Sequence, residues 1–259
     1  MNTKSFSNLS LFTMFNKTAL LIRSFLTCFL LLSINIHSSV AQSKYTVEHY
    51  GQLRTIMHEG DISANVDLSK FAKKDNFYAL GAFENLKGEI LILDGKSYAT
   101  RSINGQLEFV NAFDERAALL VGSSVEAWHE LKISQSVSNY QEFENVIEEK
   151  AADYGLDLND PFPFLVEGNF GELDWHVIDW PEDDNEHTHE KHKTSGPHGT
   201  LNDSKVNILG FWSDSHHGIF THHTTNMHMH IVTRDREVAG HVDDLNNGSD
   251  LILYLPKIE

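Results

Sequence analysis

The stretch Met227-His228-Met229-His230-Ile231-Val232 alternates histidine with apolar residues at a period of two, and that period belongs to a β-strand. Residues two apart in a strand point to the same face, about 6.5–7 Å from each other. His228 and His230 can therefore present nitrogens to one ion while Met229 points the other way. A polar turn follows, and then Val238-Ala239-Gly240-His241-Val242. If this second strand folds back antiparallel, His241 shares the histidine face when it pairs opposite His228 or His230. Either register needs an even loop of about four or six residues around Thr233 to Val238. Gly240 removes a side chain beside His241 and eases a close approach of backbone. Three histidines with an open fourth position are the pattern of a catalytic Zn2+ site. A cupin-like dioxygenase would place a glutamate three or four residues after the second histidine, where this chain has Thr233 and Arg234. The plain alternative is surface histidines in a chain that holds 16 of them, but apolar residues alternate with these two as a buried site requires.

The N-terminus sets the compartment. Lys17 and Arg23 precede an apolar run from Phe25 to Ile34 that ends at Ser39-Val40-Ala41, the pattern of a signal peptide cleaved before Gln42. Residues 1–41 are thus expected to be a leader, residues 42–259 the mature domain, and the location secreted or periplasmic. The single cysteine, Cys28, falls in the leader and lacks the small residue that a lipoprotein signal places before it. The mature chain is expected to have no disulfide, no lipid anchor and no membrane span. Its stability must come from its own core, which about 218 residues can supply.

Charge narrows the partners. The chain has 20 Lys+Arg against 37 Asp+Glu, and the leader carries three of the basic residues and none of the acidic ones, so the mature chain carries about −20. Nucleic acid is not an expected partner, because phosphate binding depends on a basic surface. A small anionic substrate needs a local positive charge to override the general field, and a metal ion is one.

Along the chain, apolar positions recur at helical spacing from Tyr45 to His58, and a short helix or turn covers Leu68 to Lys74. Phe77 to Phe83, Glu89 to Leu93, Lys96 to Arg101 and Leu107 to Val110 read as strands between turns, as do Ala117 to Val121 and Val125 to Trp128. Ser138 is expected to cap a helix reaching Tyr154. Phe162 to Glu167 and Glu172 to Ile178 are further strands around Gly168. Asp179 to Pro197 is rich in Asp, Glu, His and Lys and is expected to be a mobile loop. Asn207 to Trp212, Met227 to Thr233, Val238 to Asp243 and Asp250 to Leu255 return to strand. The expected class is α+β, dominated by mixed or antiparallel sheet with a few packed helices.

Two separated blocks carry a family resemblance. One runs from Leu80-Gly81-Ala82-Phe83-Glu84-Asn85-Leu86-Lys87-Gly88-Glu89-Ile90 through Asp94-Gly95 to Tyr98. The other comprises Gly199-Thr200-Leu201, Ile208-Leu209-Gly210-Phe211-Trp212-Ser213, Gly218-Ile219, His228-Met229-His230 and Gly240-His241-Val242-Asp243-Asp244. In order and spacing they resemble the acetolactate decarboxylases over nearly all of the mature chain. The resemblance implies that fold, zinc held by His228, His230 and His241, and a catalytic role for Glu89. It also implies conversion of 2-acetolactate to acetoin and carbon dioxide, a small anionic 2-hydroxy-3-oxo acid as partner, and leaves room for a homodimer. By residue type alone Glu89 is a strand-end glutamate after the Lys87-Gly88 turn.

The chain departs from the family pattern at three places. Leu165 stands where members carry an arginine, Ala82 where they carry a threonine, and the chain stops at Glu259 without the segment that supplies a further glutamate. Two functions remain open: a zinc-dependent decarboxylase, and a catalytically impaired or non-enzymatic secreted metal-binding homologue. His187, His189, His192 and His198, or His216, His217, His222 and His223, are candidates for a second, looser metal site. His222 and His223 are also placed to overhang the main site and take over from the missing arginine.

Overall fold

A computed structural model describes residues 45–258; the expected leader, residues 1–41, and Cys28 within it lie outside the described residues. Thirteen strands dominate: β1 (Val47–Tyr50), β2 (Val66–Asp67), β3 (Phe77–Phe83), β4 (Glu89–Leu93), β5 (Lys96–Ser97), β6 (Ala99–Ile103), β7 (Gln106–Val110), β8 (Arg116–Ser124), β9 (Trp128–Ile133), β10 (Phe162–His176), β11 (His198–Trp212), β12 (Met227–Thr233) and β13 (Ala239–Pro256). The α-helices are α1 (Leu53–Glu59), α2 (Tyr140–Tyr154) and α3 (His189–Thr194). No helix among the described residues is long and apolar enough to cross a membrane.

The first sheet runs β1-β8-β3-β4-β6-β7, with β2 and β5 as short additions. The second runs β10-β11-β12-β13-β9, and β10 also pairs with β13, so these four long strands close on themselves. Every pairing between named strands is antiparallel. The expected α+β class holds. The main core draws on both sheets: it includes Tyr78, Leu80, Leu91 and Val121 of the first, Phe162, Leu209, Phe211 and Met229 of the second, and Phe143, Val146 and Ile147 of α2. The other face of the first sheet carries a separate core of Phe77, Phe83, Ile90, Ile92 and Leu120.

Several expected boundaries move. Only the second half of Tyr45 to His58 is helical. Val47 and Tyr50 satisfy a helical period, but β1 is held on β8 from Val47↔Ser123 to Tyr50↔Leu120. Gly51, at φ 75°, then turns the chain into α1. Ladder hydrogen bonds to an existing strand outweigh a weak local helical preference. Lys96 to Arg101 breaks at Tyr98, which lies between β5 and β6 and whose N–H donates to the Leu91 carbonyl. Val125 to Ala127 precede β9 instead of opening it. The helix cap is Asn139, not Ser138: its side chain accepts the Glu142 N–H, and Glu142 accepts the Ser138 N–H in return. Gly168 does not end a strand; the register against β13 shifts between Glu167 and Asn169 and β10 continues, a bulge where two strands were expected.

Candidate metal centre and active site

The histidine strand β12 is buried at all seven positions. Met227, Met229 and Ile231 join the core, and the alternation leaves His228 and His230 on the opposite face. Four residues, Arg234 to Glu237, separate Thr233 from Val238, whose carbonyl accepts the Thr233 N–H, and the Thr233 hydroxyl oxygen in turn accepts the N–H groups of Glu237 and Val238. Of the two registers open to the sequence, His230↔His241 is the one adopted. The three rings form a near-equilateral triangle with centroids 5.1, 5.0 and 5.3 Å apart. One nitrogen from each lies within 4.8 Å of the others.

Burial is the first cause that holds these rings neutral, and the neighbouring imidazoles add to it. His228 is lowered to about 3, and His230 and His241 are lowered well below the usual histidine range. Carbonyls of Phe220 and Ile90 lie beside His228 and His230 and act in the other direction, without reaching good hydrogen-bond geometry. Both nitrogens of His230, which is fully buried, lack a hydrogen-bond partner, as does Nδ1 of His228. A buried polar atom left unpaired costs about 1–3 kcal/mol. A divalent cation would take one lone pair from each of the three rings, so the donor set fits a metal.

Glu89 comes from the other sheet. It opens β4 opposite Ala82 and Thr100, and its side chain crosses to the histidines. Oε2 lies 3.5 Å from His230 Nε2, Oε1 lies 3.8 Å from His176 Nε2, and the Ile178 N–H donates to Oε1 at 3.2 Å. Burial pushes its pKa up to about 7; His176 and the Ile178 N–H pull it down.

The sequence reading missed His176 and Asp243. His176 ends β10 directly opposite His241, and its Nδ1 lies 2.9 Å from Asp243 Oδ2. Gly240 explains the closeness: a Cβ there would meet the His176 carbonyl oxygen at 2.5 Å. The close approach expected beside His241 is thus an approach of strand to strand. No local pattern singles out His176, because its partner lies on a strand far away in sequence.

The acidic segment after β10 is not a loop without structure of its own. Trp180 anchors it at 1% exposure, its indole N–H donating to the Asp184 carbonyl and its ring stacking on His187 at 4.3 Å. His187 Nδ1 meets His192 Nε2 at 2.9 Å, Lys87 pairs with Asp179 at 3.0 Å, and Thr188 caps α3. One buried tryptophan outweighs a polar composition. His189 and His222 meet at the mouth of the site, with ring centroids 4.8 Å apart. His223 stays outside, against Gly218. His198 is exposed, His216 pairs with Ser213, and His217 with Asn226. The loop histidines assemble no second group of three converging ligands among the described residues.

The cavity above the triad is small, about 60 Å³. Glu89, His176, His228 and His241 line its floor, and Leu53, Ile56, Leu86, Leu119 and Ile178 its walls. Leu165 does not line it. It sits in β10 between Leu209 and Tyr254, half-buried on the core, two strands from His230 on the same sheet face.

Fold and site together define a two-sheet α+β protein whose second sheet carries three convergent histidines and whose first sheet supplies a buried carboxyl. The model of the alpha-acetolactate decarboxylase family matches residues 49–256, and the chain belongs to that family. The alpha-acetolactate decarboxylase of Streptococcus thermophilus is 25% identical over 175 residues, 65% of this chain and 68% of that one. The alpha-acetolactate decarboxylase structure from Bacillus subtilis strain 168 superposes with a TM-score of 0.65 at 18% identity, covering 82% of this chain and 86% of that one. A Staphylococcus aureus protein of unknown function, described as similar to alpha-acetolactate decarboxylase, gives 0.60 at 17% identity over 81% and 84%. At such identities these structures speak for the fold.

Proposed function

We propose that the chain is a zinc-dependent decarboxylase of a 2-hydroxy-3-oxo acid, with 2-acetolactate as substrate and acetoin and carbon dioxide as products. The observation that carries the reading is the buried Glu89 carboxyl set against His230 at 3.5 Å, beside three neutral convergent imidazoles. His228, His230 and His241 would hold the cation. Bound there, it supplies Lewis acidity that stabilises negative charge developing on substrate oxygens.

The chain's own residues account for the rest. When the carboxylate leaves as carbon dioxide, its electron pair stays on the adjacent carbon, and one proton must be delivered to give acetoin. Burial pushes the Glu89 pKa up to about 7, so the carboxyl can carry a proton and give it up. The Ile178 N–H fixes Oε1, so that Oε2 faces the histidine side. Leu53, Ile56, Leu86, Leu119 and Ile178 exclude water from the reacting carbon. From the leader pattern we place this activity outside the cytoplasm.

Acetoin release from racemic acetolactate by the zinc-loaded protein is the test. Glu89→Gln should retain its zinc and lose about 10²–10⁴-fold in rate. Wild-type protein that stays at the spontaneous background would sink the decarboxylase reading and favour a metal-binding homologue.

A further inference from the structure

The donors at the mouth of the cavity are imidazoles. His189 comes from α3 in the acidic segment and His222 from the loop before β12, and the two rings meet edge to face at 73°. His189 stands exposed on the rim, while His222 is half-buried, with its ring 6.1 Å from that of His241. A second, wider cavity of about 520 Å³ lies on the far side of the pair, and Tyr140, Thr225, Asp243 and Asp244 help to line it. Both cavities share His189, His222 and His241. A molecule that passes from the outer cavity to the triad must pass these rings.

The inner cavity is much the narrower of the two, about 60 Å³ against 520 Å³. If the chelating end of the substrate reaches the triad, the remainder must lie in the mouth. No lysine or arginine lines the inner cavity, and Lys193 nearby is turned to Asp243 at 3.5 Å. A carboxylate placed there must find its donors among neutral N–H groups. An imidazole offers such a donor, and the His189 and His222 rings stand where the two cavities meet.

We propose that His189 and His222 form a two-histidine clamp that binds the substrate's carboxylate at the mouth, so that carbon dioxide departs into the outer cavity. The clamp takes the place of a guanidinium and differs from the overhang of His222 and His223 expected from sequence, because His223 lines only the outer cavity. The proposal rests on the reading that an oxo acid is the ligand, but its test does not need turnover.

The test compares two unreactive probes on zinc-loaded protein by calorimetry: 2,3-dihydroxy-2-methylbutanoate, which carries the carboxylate, and butane-2,3-diol, which does not. Wild type should bind the acid about tenfold or more tightly than the diol. His189→Phe and His222→Phe, which keep a ring and remove the N–H, should each weaken the acid about tenfold and leave the diol within about twofold. His222→Asn, which restores an N–H donor, should recover part of the loss. Equal weakening of acid and diol, or no weakening of the acid, would overturn the clamp. So would loss of zinc from the Phe variants, which would mark the two rings as cation ligands. A wild type that prefers the acid yet releases no acetoin would refute the lyase reading and leave the clamp standing.

Discussion

The histidines of this chain fall into two populations that are held by different physics. His228, His230, His241 and His176 sit on strands, and their mutual positions follow from ladder register: His241 is paired with His230 on one side and with His176 on the other. His187, His189, His192 and His222 sit on connections and are placed by contacts with one another and with Trp180. The strand group makes three nitrogens converge, and the connecting group does not. A lattice of backbone hydrogen bonds can fix a ligand set before the ligand arrives, whereas side-chain contacts between loops suit a mouth that must admit a substrate.

The sharpest way to break this contrast is to remove two rings from each population. His228→Ala with His241→Ala should abolish tightly held zinc, expected at about one ion per chain, and acetoin release with it. His187→Ala with His192→Ala should keep the zinc. Elemental analysis after removal of loosely held metal checks both, and equal zinc loss in the two would erase the distinction.

Acid should weigh on both populations alike. In the metal-free protein the buried histidines have folded pKa values below the unfolded 6.5: about 3 for His192 and His228, and about 4 for His222. Their stabilising contribution is fully present above pH 6.5 and is lost as pH falls toward those values. Each group takes about 1.4 kcal/mol per pH unit within its window. Glu89 acts in the opposite sense, because its pKa is raised: stability falls as pH rises from 4.5 to about 7. Three histidines outweigh one glutamate, so denaturant midpoints should drop steeply from pH 6.5 to 4. Bound zinc should shift that drop to lower pH. A flat profile would contradict the neutral burial of these rings.

The smallest expected effect tests the strand group alone. Gly240→Ala puts a methyl 2.5 Å from the His176 carbonyl oxygen, so β10 and β13 must separate. A loss of about 1–3 kcal/mol in stability is expected, together with weaker zinc binding through displaced His241. Unchanged zinc affinity would show that the close approach is incidental to the centre.

The same contrast explains what could be read from sequence. The triad was legible because a period of two and one short hairpin decide where His228, His230 and His241 point. Glu89 was legible only through the family resemblance, since a glutamate after a Lys-Gly turn carries no mark of crossing to another sheet. His176 and Asp243 were not legible: their place depends on β10 meeting β13, a closure between strands far apart in sequence. The strand at Val47–Tyr50 was hidden because its two apolar residues fit either period until β8 is present to pair with it. The order in Asp179 to Pro197 was hidden by composition, which averages over the single tryptophan that anchors it.

The pairing of β10 with β11 keeps one register to His176↔His198, so both ends of the acidic segment are pinned at adjacent points of one ladder. The segment is, in effect, the tip of a hairpin. Its length and composition can drift across generations without transmitting any change of register to the triad, as long as the tip still returns at His198. Under the proposed function, the ladder holds the triad in place while the tip, which carries His189, sets what the mouth admits.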